Sequence, residues 1–271
     1  MNELISSLQN PQVKIWRGLN KSRAARVEAG LFLAEGEHMA GEALKEKKAR
    51  ALLMDQSARE KFAALAAEAS AQGLLAYELA PHVFAALCDA KAPQGVIAVC
   101  DYPREPALKR PGDWLVALDG VQDPGNVGAI LRTMDAAGFS GLLMDEKTAD
   151  PYAPKALRAT MGAAFRIPAA RCGDLPGTLR QLAEKGYEIV AGDLRGQDFY
   201  RRPPLPDKIC LVISNEGQGI SPAVLETATW RVKIPIVGGA ESLNAAVAGS
   251  IMMYDFLREK LMTPHPGEAL C

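Results

Sequence analysis

The fold is decided first by the stretch WLVALDGVQDPGNVGAILRTMDAAGF at residues 114–139. Its opening apolar run stops at Asp119 and Gly120, which is typical of a buried strand. Asp-Pro-Gly-Asn at 123–126 then predicts a turn and a helix start, with Asn126 as the N-cap. Because apolar residues recur after Asn126 at helical spacing, the stretch predicts a strand, a loop and a helix in succession.

The same alternation continues on the C-terminal side of this stretch. Further strands are predicted at 141–145, 187–193, 208–215 and 231–236. Helices are predicted at 126–138, 152–164, 174–186 and 241–261. Buried strands that alternate with helices predict an α/β fold with a mainly parallel sheet. Ligands of such sheets bind beyond the carboxyl ends of the strands, so the loops there are the first place to search for a site.

The residues before this stretch predict a smaller α/β unit. A polar, basic segment at 8–28 is predicted to be helical. Strands are predicted at 32–36, 51–55, 74–79 and 95–100, and helices at 37–48 and 57–72. Three prolines and mixed charges then indicate a linker. We therefore predict a domain at 1–100, a linker at 101–112 and a second domain at 113–271.

Composition excludes several functional classes. The 271-residue chain has a net charge of −1, so any surface that binds nucleic acid must be local. The five cysteines form no CxxC pair and the three histidines are isolated, which indicates reduced thiols in a cytoplasmic protein and no metal site. No apolar signal core or membrane-spanning stretch is found. GxGxxG, GxxxxGK[ST], GxSxG and HExxH are all missing.

Three polar loops remain to be explained. In the first, at 118–139, Arg132 is either a surface arginine on a capped helix or a phosphate-binding fork beside a helix N-terminus that attracts an anion. The second, LVISNEGQGIS at 211–221, is an ordinary loop or one whose glycines let the backbone approach a ligand, with Glu216 as an acceptor. In the third, at 231–259, Ser242 and Asn244 flank a helix start, and the small residues that follow allow close packing. Whether Ser242 and Asn244 also contact a ligand stays open.

Together and in order, the three loops resemble the three motifs of the SpoU/TrmH family of RNA 2′-O-ribose methyltransferases. The resemblance covers Asn126-x-Gly128 to Arg132, then Asn215-Glu216-Gly217-x-Gly219, then Ile234-Pro235 leading to Ser242-Leu243-Asn244. The segment at 149–168 is also similar to the family. FLAEGEHMAGEAL (32–44) and APQGVIAV (92–99) resemble its small substrate-binding domain, which has the ribosomal protein L7Ae/L30e fold. Ser214 and Met134 depart from the residues common in the family.

The resemblance implies a fold, a cofactor and a partner. The catalytic domain is expected to contain a C-terminal trefoil knot that binds S-adenosylmethionine and releases S-adenosylhomocysteine, without metal. Matched by position, the cofactor contacts are Gly192, Ser214, Gly217, Ile234, Ile236, Leu243 and Asn244. The family acts as a homodimer, with the target ribose near the subunit boundary. Ile251, Met252 and Phe256 on the closing helix are expected at that boundary.

The resemblance also implies which residues act on RNA. The catalytic residues are expected to be Asn126, Arg132, Glu216, Ser242 and Asn244. Because a guanidinium holds its proton far above neutral pH, Arg132 is better suited to binding a neighbouring phosphate than to acting as a base. The expected RNA contacts are Lys14, Arg17, Lys21, Arg23, Arg26, Lys155 and Arg158. Ribosomal RNA of the 23S type is the favoured substrate over tRNA.

Two alternatives stay open at this point, the first of them from another functional class. One is a non-catalytic RNA-binding or ribosome-assembly factor on the same scaffold, and the intact polar motifs argue against it. The other is a knotted methyltransferase that acts on a base. The combination of Asn126, Arg132 and Ser242-Leu243-Asn244 resembles the ribose methyltransferases more closely.

Overall fold

The computed structural model describes residues 4–103, 111–215 and 217–262. Its contacts define two compact units, one within Met1–Glu105 and Asp150–Arg166, the other within Pro106–Ala149 and Ile167–Cys271. The predicted linker lies mostly outside the described residues. In chain order the elements are α1 (Pro11–Leu19), α2 (Arg23–Ala29), β1 (Leu31–Glu35), α3 (Glu37–Lys45), β2 (Ala49–Asp55), α4 (Ala63–Ala71), β3 (Leu75–Leu79), α5 (Pro81–Ala85), β4 (Val96–Asp101), β5 (Trp114–Asp119), α6 (Pro124–Ala137), β6 (Gly141–Met144), α7 (Pro154–Thr160), α8 (Ala163–Arg166), β7 (Ala169–Arg171), α9 (Leu175–Glu184), β8 (Glu188–Asp198), β9 (Ile209–Ser214), α10 (Pro222–Leu225), β10 (Trp230–Lys233) and α11 (Ala245–Met262).

The N-terminal unit is built on a four-stranded mixed sheet in the order β1-β4-β2-β3. Strand β4 is antiparallel to β1 and β2, and β3 is parallel to β2. Because side chains alternate along a strand, Leu52 and Leu53 of β2 enter two different apolar cores. The core that contains Leu52 also includes Leu157 and Phe165 from α7 and α8. Residues 150–166 are therefore an integral part of this unit although they lie far along the chain.

Two of the predicted helices are wrong because each is interrupted by a turn. The basic segment forms α1 and α2, and the Ser22 hydroxyl caps α2 by accepting the Ala25 N–H at 3.2 Å. The helix predicted at 152–164 breaks where Met161 and Gly162 adopt positive φ angles of 50° and 92°. In each case a short turn replaces helical hydrogen bonds with local ones. The hydrophobic periodicity continues across the turn, so the pattern predicted one helix where there are two.

The second unit contains a six-stranded sheet in the order β10-β8-β9-β5-β6-β7, and every described pair in it is parallel. This confirms the predicted α/β fold with a mainly parallel sheet. Residues 114–119 of β5 are all buried because helices cover both faces of the central strands. The short elements β7 and α10 were not predicted. The strand order brings the carboxyl ends of β8, β9 and β10 to one edge of the sheet.

Candidate cofactor and catalytic site

A cavity of about 400 Å³ lies at the carboxyl ends of β8, β9 and β10, with the first turns of α11 as a wall. It brings together six of the seven residues expected to contact cofactor, which are Gly192, Ser214, Gly217, Ile234, Ile236 and Leu243. Ser242 also lines the cavity and is exposed. The seventh residue, Asn244, is not part of the lining. Loops that are separate in sequence thus converge on one concave surface.

Close packing of α11 against the sheet shapes this cavity. A Cβ atom at Gly249 would lie 2.4 Å from the Ile213 Cδ1 atom, so only glycine fits there without moving that side chain. A Cβ atom at Gly192 would lie 3.2 Å from the Met252 Cε atom. Ile213 and Met252 both line the cavity. The position of α11 therefore determines the position of two cavity walls.

The loop after β9 is held by Asn215. Its Oδ1 atom accepts the N–H groups of Gly217 at 2.7 Å and Gln218 at 3.3 Å. Its carbonyl accepts the N–H of Gly219, which has a φ of 69°. The Asp119 carboxylate at the end of β5 fixes the next residues by accepting the Ser221 N–H at 2.6 Å. Glu216, an expected catalytic residue, lies outside the described residues.

Helices α6 and α11 bring the first and third loops into contact. The Asn244 amide donates to the Asn126 Oδ1 atom at 3.0 Å, and farther along the hydroxyls of Thr133 and Ser250 are 2.9 Å apart. The two helices therefore run side by side in the same direction, with both N-termini at one end. Asn244 caps α11 by accepting the N–H groups at 246 and 247.

The prediction that Asn126 caps α6 is wrong. The cap is Asp123, whose Oδ1 atom accepts the Asn126 N–H at 3.0 Å. This leaves the Asn126 side chain to contact α11 instead. Arg132 is exposed on α6 and is not among the residues that line the cavity. Within the described ranges no hydrogen bond or ion pair engages its guanidinium.

The expected RNA-binding residues differ in accessibility. Lys14, Arg17, Lys21, Arg23 and Lys155 are exposed. The expectation for Arg26 is contradicted, because its side chain is 4% exposed and makes an ion pair with Asp150 at 2.7 Å. Its Nη1 atom also donates to the Leu19 carbonyl at 2.6 Å. Arg158 is half-exposed and pairs with Asp89 at 2.7 Å.

The residues expected at a subunit boundary also need correction. Met252 and Phe256 are buried within the chain, the first against the cavity and the second against Phe199. Ile251 is partly exposed. Sequence reasoning identified the apolar character of α11 but could not distinguish its inner face from its outer face.

Some residues at the cavity were missed from the sequence. Asp193, Arg195, Gln218 and Lys233 add polar groups to its lining. Asp193, Arg195 and Gln218 end or follow predicted strands, so the rule that ligands bind at carboxyl ends could have identified them; Lys233 ends the observed β10 but lies inside the longer predicted strand. Burial raises the pKa of the Cys210 thiol.

Among the described residues, no group of three or more His, Cys, Asp and Glu side chains is placed to hold a metal. In the same residues, no helix is long and apolar enough to span a membrane.

Comparisons with known proteins agree with this architecture. Residues 113–254 match the SpoU rRNA Methylase family and residues 10–98 match the MRM3-like substrate binding domain. The 23S rRNA (guanosine(2553)-2′-O)-methyltransferase RlmP of Bacillus subtilis is 34% identical, over 92% of this chain and 97% of its own length. The AdoMet-bound SpoU methyltransferase AviRb of Streptomyces viridochromogenes has a TM-score of 0.84 and 30% identity, over 94% of this chain and 100% of its own.

A third protein, the AdoMet-bound rRNA methyltransferase of Sinorhizobium meliloti, is 33% identical with a TM-score of 0.82. The match covers 96% of this chain and 99% of that one. The similarity therefore extends over both units and includes the loops that form the cavity. This chain belongs to the SpoU rRNA methylase family.

Proposed function

We propose that this chain transfers the methyl group of S-adenosylmethionine to a ribose 2′-hydroxyl of ribosomal RNA, with 23S-type RNA favoured over tRNA. The observation that carries the proposal is the convergence of six expected cofactor-contact residues on one cavity at the sheet edge. Membership of the family supports the reaction class, and the name of the Bacillus relative supports the substrate.

The cavity fits the cofactor in size and chemistry. Its volume of about 400 Å³ falls within the range of about 300–1,000 Å³ for small-molecule pockets. Ile213, Ile234, Leu243 and Met252 provide apolar walls suited to an adenine ring. Gly192 and Gly217 allow close approach of the backbone, and Ser214, Ile236 and Asn244 complete the proposed contact set.

The helix N-termini and Arg132 have separate roles in binding the RNA phosphate. When bound, S-adenosylmethionine supplies an electrophilic sulfonium methyl group. The adjacent N-termini of α6 and α11 carry partial positive charge, which favours an RNA phosphate near Asn126 and Asn244. The Arg132 guanidinium binds that phosphate and lowers the pKa of the neighbouring 2′-hydroxyl, which releases its proton to solvent as its oxygen takes the methyl group. Ser242 and Glu216 orient the hydroxyl and the arginine.

We also propose a homodimer formed through α11. Val247, Tyr254 and Leu261 are seven residues apart, share one helix face and are about half exposed or more. An apolar face of this kind is suited to binding a second copy of the chain, and sedimentation as a monomer at micromolar concentration would contradict the homodimer.

The trefoil knot, the L7Ae-like fold, the domain boundaries and a cytoplasmic location stay proposals. Four free cysteines among the described residues support the last of these.

The purified chain should bind S-adenosylmethionine without added metal. Calorimetric titration should give the same affinity with and without a chelator, because the proposed contacts are mainly backbone groups and apolar side chains. Ala248→Phe should abolish binding by filling the cavity, whereas Ala246→Gly, at a buried position outside the lining, should preserve it. If the folded wild-type chain binds no S-adenosylmethionine, the methyltransferase proposal is wrong.

A further inference from the structure

A buried arginine joins two of the elements that enclose the cavity. Arg202 follows β8 after a short helical turn, and its side chain is 5% exposed. Its Nη1 atom is 2.8 Å from the Asp255 Oδ2 atom, and its Nη2 atom is 2.7 Å from the Glu259 Oε2 atom. Both acids are on α11. The Arg202 Nη1 atom also donates to the carbonyl of Phe199 at 3.0 Å.

Aromatic and backbone contacts reinforce this connection. The Arg202 guanidinium carbon lies 4.4 Å from the centre of the Phe199 ring and 5.0 Å from that of Phe256. The second carboxylate oxygen of Glu259 accepts the Leu205 N–H at 2.8 Å. The segment 199–205 is thus held to α11 by one guanidinium, one pair of rings and one hydrogen bond from a backbone N–H to the Glu259 carboxylate. We call the set Arg202, Asp255 and Glu259 the arginine clamp.

The arginine clamp acts on helix residues that share a face with the cavity wall. Met252 precedes Asp255 by three residues and Glu259 by seven, so all three side chains lie on one side of α11. Met252 lines the cavity and approaches Gly192, which belongs to β8. Any rotation or sliding of α11 at the clamp would therefore move Met252 relative to β8.

The arginine clamp is expected to fix the relative position of two segments more than to raise the stability of the fold. Burying Arg202 and largely burying Asp255 costs free energy that their attraction only partly returns, so apolar residues of similar size would serve stability as well or better. The planar guanidinium, in contrast, can hydrogen-bond Glu259 with one terminal nitrogen and pair with Asp255 through the other in one arrangement only. Such a group fixes the relative position of the segments that it joins.

We propose that Arg202 is a positioning residue that sets the distance between β8 and α11 and thereby the shape of the cofactor cavity. This inference rests on the proposed function, because it concerns the site assigned to S-adenosylmethionine. Arg202 does not line the cavity, so its effect on the cofactor must be transmitted through Met252 and α11.

The test compares two buried arginines of equal exposure. Arg202→Met should raise the dissociation constant of S-adenosylmethionine tenfold or more and raise its KM in parallel, with kcat at saturation within a few-fold of wild type. Arg26→Met removes a 4% exposed arginine from the pair with Asp150 in the N-terminal unit. It should lower Tm to a similar extent but leave cofactor affinity unchanged. Calorimetry and thermal unfolding of both variants measure these quantities.

Glu259→Gln provides a milder variant in case Arg202→Met does not fold. It keeps the side-chain shape and the acceptor for Leu205 while removing one charge of the clamp, and it should raise the cofactor dissociation constant several-fold. Wild-type affinity in folded Arg202→Met or Glu259→Gln would overturn the inference, as would equal weakening by Arg26→Met. Failure of the wild-type chain to bind S-adenosylmethionine would instead refute the proposed function.

Discussion

Arg132→Ala should reduce methyl transfer about a hundredfold to a thousandfold, while the dissociation constant of S-adenosylmethionine stays within a few-fold of wild type. The rate loss follows from removing a contact with the RNA phosphate worth about 3–4 kcal/mol in the transition state. Cofactor affinity should survive because Arg132 is exposed on α6 and does not line the cavity. Single-turnover transfer from labelled S-adenosylmethionine to RNA measures the first quantity, and calorimetry measures the second.

Arg132→Lys tests the proposed role of the fork. Lysine keeps the charge but cannot bind two phosphate oxygens in the same plane, so it should restore little activity. Near-normal turnover in Arg132→Ala would show that the central catalytic residue is assigned wrongly. Strongly weakened cofactor binding with normal turnover at saturation would place Arg132 in the cofactor site.

Charge reversal in α1 and the turn after it should have the second largest effect. Lys14, Arg17 and Lys21 are exposed; the first two are three residues apart and share a face of α1, and Lys21 lies in the turn that follows. Replacing all three with glutamate should weaken RNA binding about a hundredfold and reduce the salt slope of log K by about 2.7, since each phosphate contact contributes about 0.9. Filter binding across a salt series measures both quantities.

The matched control reverses Lys45, Lys47 and Lys48, which are also exposed in the N-terminal unit. The net charge changes equally, so a specific contact at Lys14, Arg17 and Lys21 predicts a much smaller loss for the control. Equal losses of RNA affinity in the two variants would show that overall charge, not a specific contact, causes the effect. Unchanged RNA affinity in both variants would show that the N-terminal unit does not bind RNA through these residues. Deleting residues 1–105 is a poorer test, because it would expose Leu157 and Phe165, which pack in the core of the N-terminal unit.

The main features of the catalytic fold were predictable from the sequence. A strand buried on both faces must be apolar throughout, so runs such as 114–118 indicate a parallel sheet without any long-range information. Ser214 ends β9, and Gly217 and Leu243 lie in the loops after β9 and β10. Because ligands of a parallel sheet bind beyond the carboxyl ends of its strands, these positions are expected to lie near the site. The approximate location of the site was therefore predictable before any coordinates.

Long-range contacts could not be predicted in the same way. Nothing local distinguishes Arg26 from its exposed neighbours, because its burial depends on Asp150, which is 124 positions later in the chain. The assignment of residues 150–166 to the N-terminal unit has the same origin. The cap of α6, by contrast, could have been predicted locally, because Pro124 at the first helical position favours Asp123 over Asn126 as the N-cap.

The arginine clamp illustrates a further limit. Arg202, Asp255 and Glu259 are residue types that usually lie in solvent. Only the packing of the segment after β8 onto α11 buries Arg202 and brings it into contact with the two acids. Position in the family motifs could not reveal them because none belongs to a motif. Charged residues outside motifs become informative only when their burial is known.

The most direct test of the central claim is the position of the transferred methyl group. Purified protein, methyl-labelled S-adenosylmethionine and ribosomal RNA from cells without this protein should be combined, and the RNA digested to nucleosides for mass spectrometry. We expect the label in a single 2′-O-methylated nucleoside, lost in Arg132→Ala. Label on a nucleobase, or no transfer by a chain that binds both S-adenosylmethionine and RNA, would contradict ribose methylation.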